Sequence, residues 1–300
     1  MKIHYPIILF LLLSSFLSGC RSNLISTPAE TPIPTSTPTL ITTFTPTQTN
    51  TPTPTATPTI VASQIVSSCE DGALIDIGEY QAQIDAWGKV TLTGWSECIG
   101  AGIDTDGTLI GHWTWDWLNS GDNVKAFPAI VFGQVPSRAS TTASLPIQIS
   151  QIDAATISYG VSSKHTGSGN LAFHIWLTNT QNPSTWGVPP ITHEVMIWLE
   201  AYGGMTPAGA WIKQVGVDNS QYDLLVADNF GMGWKFIVFS RLPNQQGSGI
   251  LNLVSFLSYI QKEGLITGNE YLASISLGNE VISGIGETNL KGYGITVQKK

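Results

Sequence analysis

The chain has 300 residues and a formal net charge of −8, from 13 Lys plus Arg against 21 Asp plus Glu, with 10 tryptophans and 30 glycines but only 11% charged residues. So acidic a balance with so few basic side chains argues against nucleic acid as a partner. The length allows one domain with a large core once the N-terminal segments are set aside.

Met1-Lys2 precede an apolar run from Ile7 to Leu13, and Leu17-Ser18-Gly19-Cys20 closes it with small residues before a cysteine. The run is shorter than the roughly 20 residues a membrane-spanning helix needs. We expect a lipoprotein signal peptide over residues 1–20, cleaved before Cys20 with lipid attached to that thiol; the alternative is an ordinary signal peptide with an incidental cysteine. Residues 21–62 are dominated by Thr and Pro, as in Thr51-Pro52-Thr53-Pro54. That composition buries no apolar surface and favours extended polyproline II, so it predicts a solvated stalk. An exported protein with Cys20 lipidated leaves Cys69 and Cys98 as an even pair, which predicts a disulfide rather than two free buried thiols.

Residues 63–300 hold short alternating apolar segments separated by Gly, Asn, Pro and Ser, the pattern of an antiparallel all-β sandwich or barrel. The expected strands are centred on Val90-Leu92-Gly94, Trp113-Trp115-Trp117, Ala129-Val131, Ile147-Ile149, Ile157-Tyr159-Val161, Leu171-Phe173-Ile175-Leu177, Val195-Ile197-Leu199, Leu224-Val226, Phe236-Val238, Ile275-Leu277 and Tyr293-Ile295-Val297. Ile250, Leu253, Val254, Leu257 and Ile260 recur at helical spacing and predict one amphipathic helix over residues 249–263, packed on the outside of one sheet.

His193-Glu194 begins like a zinc-protease helix, but Ile197 stands where the second histidine belongs. There is no Gly-x-Ser-x-Gly elbow or phosphate loop, and Gly231-Met232-Gly233 reads as a turn. What remains is carboxylates among tryptophans. Read as a strand, Thr192–Leu199 sends Val195, Ile197 and Leu199 to one face and Glu194, Met196 and Trp198 to the other. A carboxylate between a thioether and an indole suits a sugar-cleaving cleft, the plainer alternative being a solvent-facing acid on a half-buried strand. Glu280 has a similar setting: Ser276, Gly278 and Glu280 share a face, and Gly278 leaves room beside the acid. A retaining glycosidase uses two such carboxylates about 5 to 5.5 Å apart.

The order and spacing of these motifs resemble glycoside hydrolase family 12, the small single-domain β-1,4-glucanases, from about Cys69 to the end of the chain. Glu194-Val195-Met196-Ile197-Trp198 with Tyr202-Gly203 and Pro207 resembles the nucleophile motif, and Gly278-Asn279-Glu280 with Gly284 the acid/base motif. Trp115-Asp116-Trp117 and Asn123-Val124-Lys125-Ala126-Phe127-Pro128 resemble two upstream segments, Trp87-Gly88 the tryptophan lining the distal donor side, and Cys69 with Cys98 the disulfide of some members. Two positions depart. His174, in Ala172-Phe173-His174-Ile175-Trp176, stands where many members carry an Asp that hydrogen-bonds the nucleophile, and Asp85 where an asparagine precedes the cleft tryptophan. A histidine can donate a hydrogen bond to Glu194, and its charged form favours the carboxylate.

The resemblance implies a β-jelly roll: two stacked antiparallel sheets, an open substrate groove and one packed helix. It implies a retaining endo-β-1,4-glucanase with Glu194 as nucleophile and Glu280 as acid/base, Trp87, Met196, Trp198, His174 and Asp85 along the groove, and no metal or organic cofactor. The expected partners are a β-1,4-linked glucan and, through Cys20, a membrane; the expected state is a monomer on the outside of the cell. Alternatives are a xyloglucan- or mixed-linkage-specific endoglucanase and a non-catalytic glucan-binding lipoprotein.

Overall fold

A computed structural model describes residues 64–300 except 90–91, 118–120, 135–137, 184–189 and 230–232; the leader, Cys20 and the Thr/Pro stalk lie outside the described residues. In chain order the strands are β1 (Val66–Ser68), β2 (Leu74–Ile77), β3 (Tyr80–Gln83), β4 (Ser96–Ile103), β5 (Leu109–Trp117), β6 (Ala129–Gly133), β7 (Ile147–Gln148) and β8 (Ile152–His165). They continue as β9 (Ser168–Thr178), β10 (Ile191–Tyr202), β11 (Ala210–Val217), β12 (Ser220–Ala227), β13 (Lys235–Leu242) and β14 (Gly247–Asn252). The helix α1 (Leu253–Lys262) follows, then β15 (Tyr271–Gly278) and β16 (Val281–Lys299).

The strands form two layers. The back sheet runs β1-β4-β5-β16-β8-β14. The front sheet runs β2-β3-β6-β15-β9-β10-β13-β12-β11, with β7 also beside β15. The start of β16 also pairs with β9, at Val281↔Gly169, so one strand belongs to both layers. Among the described residues every strand pair is antiparallel but one. β10 and β13 run parallel from His193↔Lys235 to Trp198↔Ser240, because the β11–β12 hairpin between them in sequence supplies the long return that a parallel pair requires. That hairpin turns on Asp218 and Asn219, both in the left-handed region at φ 49° and 61°, as a two-residue hairpin loop demands.

Alternation decides what lies between the sheets. Trp113, Trp115 and Trp117 of β5 face Phe173 and Ile175 of β9 and Val195, Ile197 and Leu199 of β10 in one core. The helix differs from expectation at its start and in its seat. Residues 249–252 belong to β14, whose pairing with β8 exposes Ile250 at 73%, so the helical spacing of Ile250 was coincidental. Leu253, Phe256, Leu257 and Ile260 enter the core itself, and Phe256 meets Tyr222 and Phe239 edge-on at 5.4 and 5.1 Å. The helix therefore closes the core side rather than lying outside a sheet. Leu92 and Gly94 lie outside any strand and Val90 outside the described residues, while Ile149 opens a short 3-10 turn after β7. Cys69 and Cys98 form the predicted disulfide, joining the segment after β1 to β4.

One buried acid in this core has a measurable consequence. Glu97 is 1% exposed, accepting a 2.7 Å hydrogen bond from Trp117 Nε1 beneath the stacked Trp95. Burial, and secondarily the charges of Asp85 and Asp71, pushes its carboxyl up to about 8. A raised folded-state value means that stability is complete below the unfolded value, about 4.5, and is lost as pH rises toward 8. Urea midpoints should therefore fall across that range by the equivalent of about a few kcal/mol, and Glu97→Gln should flatten the fall. Identical slopes in the two proteins would reject a protonated Glu97.

Candidate active site

The front sheet's other face carries the candidate residues. On β9 the alternation that buries Leu171, Phe173 and Ile175 in the core turns Asn170, Ala172, His174 and Trp176 the opposite way. On β10 it turns Glu194, Met196 and Trp198 to that same face, with Trp176 opposite Glu194, His174 opposite Met196 and Ala172 opposite Trp198.

Glu194 is held at both oxygens. His174 Nδ1 lies 3.0 Å from Oε1, and Trp234 Nε1 donates to Oε2 at 3.3 Å. The predicted contact between the departing histidine and the carboxylate is thus present, made through the Nδ1–H tautomer, since an ionised carboxylate only accepts. Phe127 fixes the imidazole from the other side, ring to ring at 4.0 Å. Trp176 meets Trp234 edge-on at 5.4 Å, so two indoles flank the acid.

Glu280 follows the end of β15 and sits opposite Asn170. The Asn170 amide nitrogen donates to its Oε2, Asn170 Oδ1 accepts from its backbone N–H at 3.1 Å, and the Asn170 N–H donates to its carbonyl at 3.0 Å. Gly169 makes this approach possible: a Cβ there would stand 2.4 Å from both the Glu280 carbonyl oxygen and Tyr202 Oη. The neighbouring Asn279 is fully buried, its Oδ1 accepting from Trp113 Nε1 and Thr288 Oγ1 at 2.8 Å each, and its Nδ2 donating to the Asn170 carbonyl at 2.9 Å. The back sheet thereby fixes the segment that carries the acid. Burial raises the Glu280 carboxyl above its ordinary range and the charge of Glu194 adds to the rise, against His174 and Asn170, which lower it.

Asp85 and Trp87 continue the alternation of Gln81 and Gln83 beyond β3. Their loop is pinned where the Phe127 N–H donates to the Asp85 carbonyl at 2.8 Å and the Gly88 N–H to the Lys125 carbonyl at 2.9 Å, beside Val281. Burial raises the Asp85 carboxyl, opposed by Arg138 and His174. Trp87 is 58% exposed, an open indole at that end of the sheet.

Met196 and Trp198 differ from expectation. They lie on the face of Glu194 but are 0% and 2% exposed, packed with Ala172 and Val238, with Trp198 Nε1 directed at Met196 Sδ. Leu225, Phe236 and Met205 pack against them from neighbouring segments, so they brace the site and offer a sugar no open apolar surface. Gly278 also has another role: a Cβ would meet the Pro128 carbonyl at 2.3 Å, so its bare backbone lets β15 close on the segment entering β6. Asn170 and Trp234 were not picked out from sequence, and Trp176 and Asn279 were named only within motifs, without a role. Alternation from His174 gives Asn170 and Trp176; Trp234 reaches the site only through the tertiary fold, as do the partners of Asn279.

Residues 78–298 match the profile of Glycosyl hydrolase family 12. The chain belongs to this family. Endoglucanase S of Pectobacterium parmentieri is 30% identical over 77% of this chain and 88% of its own length. An inactive glycoside hydrolase of Phytophthora nicotianae is 22% identical over 72% of this chain and 85% of its own. A family 12 xyloglucanase from Bacillus licheniformis, solved with ligand, superposes with a TM-score of 0.68 at 25% identity, over 78% of this chain and all of its own. The fold is thus the β-jelly roll of family 12, and the chain is a glycoside hydrolase of an endoglucanase family.

Proposed function

We propose that the protein is a retaining, endo-acting β-1,4-glucanase with Glu194 as nucleophile and Glu280 as acid/base. The observation that carries this is the contrast between the two acids. Glu194 accepts hydrogen bonds at both oxygens, an arrangement that suits an ionised nucleophile, whereas Glu280 is raised by burial and by Glu194 itself, which suits an acid that starts protonated. Glu194 attacks the anomeric carbon as the glycosidic C–O bond breaks, and Glu280 gives its proton to the departing oxygen. Water then attacks the glycosyl ester, returning a proton to Glu280 and releasing Glu194 with the configuration retained.

A xyloglucan preference is the second reading, favoured by the likeness to the Bacillus licheniformis xyloglucanase. A protein that only binds glucan is disfavoured, since both acids are present and differently housed. Reducing ends released from carboxymethyl-cellulose, barley β-glucan and xyloglucan separate the readings; no release from any of them would leave only binding.

His174 works in this reading as a positioning residue for Glu194. Aspartate in its place puts a second acid beside the first, and one of the two must then hold its proton to higher pH. The acidic limb of kcat/KM should lie higher in His174→Asp than in the natural protein, with the basic limb little moved. An acidic limb shared by the natural protein, His174→Asp and His174→Ala would return His174 to simple packing against Phe127.

We place the enzyme outside the cell as a monomer, tethered by lipid on Cys20 and held off the membrane by its Thr/Pro stalk. Cys20→Ser should move the protein from the membrane fraction to the medium with unchanged specific activity on soluble glucan. A natural protein already soluble, with its mature N-terminus elsewhere than Cys20, would contradict the anchor.

A further inference from the structure

The row of residues between the two glutamates continues across the front sheet to its edge. Ser276, His174, Met196, Val238, Leu225 and Trp211 are successive cross-strand partners from β15 through β9, β10, β13 and β12 to β11. Partners in register share a face, so Trp211 lies on the face that carries Glu194. It is three strand spacings from β10, about 14 Å along the sheet. Met196 and Val238 in that row are buried, but Trp211 is 59% exposed.

Two features show that its indole is set rather than loose. The register slips between Trp211 and Lys213, leaving Ile212 as the extra residue of a bulge, and bulges re-aim the side chains beside them. Trp211 Nε1 donates to Asp223 Oδ1 at 2.9 Å, and Asp223 points to the same face from β12. A tryptophan whose polar edge is already satisfied offers its flat apolar surface, which suits the apolar face of a pyranose ring. Trp87, 58% exposed, occupies the opposite end beyond β3. The two open indoles thus bracket the candidate acids, the strands β3 and β11 being seven spacings or about 33 Å apart along the sheet.

We propose that Trp211, oriented by Asp223, is a sugar-stacking subsite at the end of the groove opposite Trp87, so that a bound β-glucan chain extends from the acids to the β11 edge. This rests on the glucanase reading above. A subsite so far from the acids favours long chains over short ones, and it requires nothing of the catalytic groups themselves.

The test compares kcat/KM on a β-1,4-linked glucose hexasaccharide with that on an aryl β-cellobioside too short to reach Trp211. In Trp211→Ala the ratio of long to short should fall about five- to tenfold. Trp211→Phe should recover most of the loss, and Ile212→Ala, the exposed neighbour, should keep the natural ratio. In a gel containing barley β-glucan, Glu194→Gln should be retarded and Glu194→Gln with Trp211→Ala markedly less so. An unchanged ratio and unchanged retardation in Trp211→Ala, with the natural protein active on glucan, would overturn the subsite while leaving the glucanase reading intact. A natural protein that is neither active nor retarded on any glucan would overturn both.

Discussion

Glu194→Gln should lower turnover on β-glucan by at least about a thousandfold while leaving the thermal midpoint within a few degrees of the natural protein. The swap is isosteric and keeps a carbonyl oxygen where His174 Nδ1 lies 3.0 Å from the carboxylate, so what it removes is the nucleophilic charge and not the fold. A shortened side chain separates nucleophile from bystander more sharply. In Glu194→Ala, azide can enter the vacated space and attack an activated aryl glycoside from the nucleophile's side, so the product should be the α-glycosyl azide. A β-glycosyl azide would assign the missing role to the other side of the sugar and so to the wrong residue.

Glu280→Gln should be nearly as damaging on polysaccharide, by about a hundred- to ten-thousandfold, yet much less so on an aryl glycoside whose leaving group needs no proton. The pH profile gives a second check. Burial first, and then the negative charge of Glu194, holds the Glu280 carboxyl above its ordinary range. The acid is active while protonated, so activity on glucan should be sustained to higher pH than an ordinary glutamate allows and then fall as Glu280 ionises. In Glu280→Gln that basic limb should be missing from the residual activity on the aryl substrate. A basic limb of unchanged position in the variant would assign it to another group.

The sequence made the centre of the front sheet legible because there each residue is buried on one side only, and alternation survives. The reading of β9, β10 and β15 put Glu194 and His174 on one face, where the structure finds them within 3.0 Å. Strands at the margins were harder to read. β11 breaks its own period with the bulge at Ile212 and is exposed along its first half. β14 is glycine-rich, and its Ile250 points to solvent at helical spacing from Leu253, which drew the helix four residues too far toward the N-terminus. Within the site, the two acids were legible as motifs, while their holders were less so. Trp234 reaches Glu194 from just before β13, a neighbouring strand distant in sequence, and Asn279 holds the Glu280 segment to Asn170 and, across the sheets, to Trp113, contacts that no local pattern reports. Met196 and Trp198 show the converse error: alternation gives their face correctly, but burial on that face depends on Val238, Leu225 and Phe236 from other strands.

The central claim is a double displacement between Glu194 and Glu280, and the anomeric configuration of the first-formed product tests it most directly. Proton NMR of a β-1,4-linked glucose oligosaccharide, followed from the first seconds of cleavage, should show the new reducing end appearing as the β-anomer and only later relaxing toward the equilibrium mixture. A new reducing end that appears first as the α-anomer would mean a single displacement by water, and would contradict Glu194 as a covalent nucleophile.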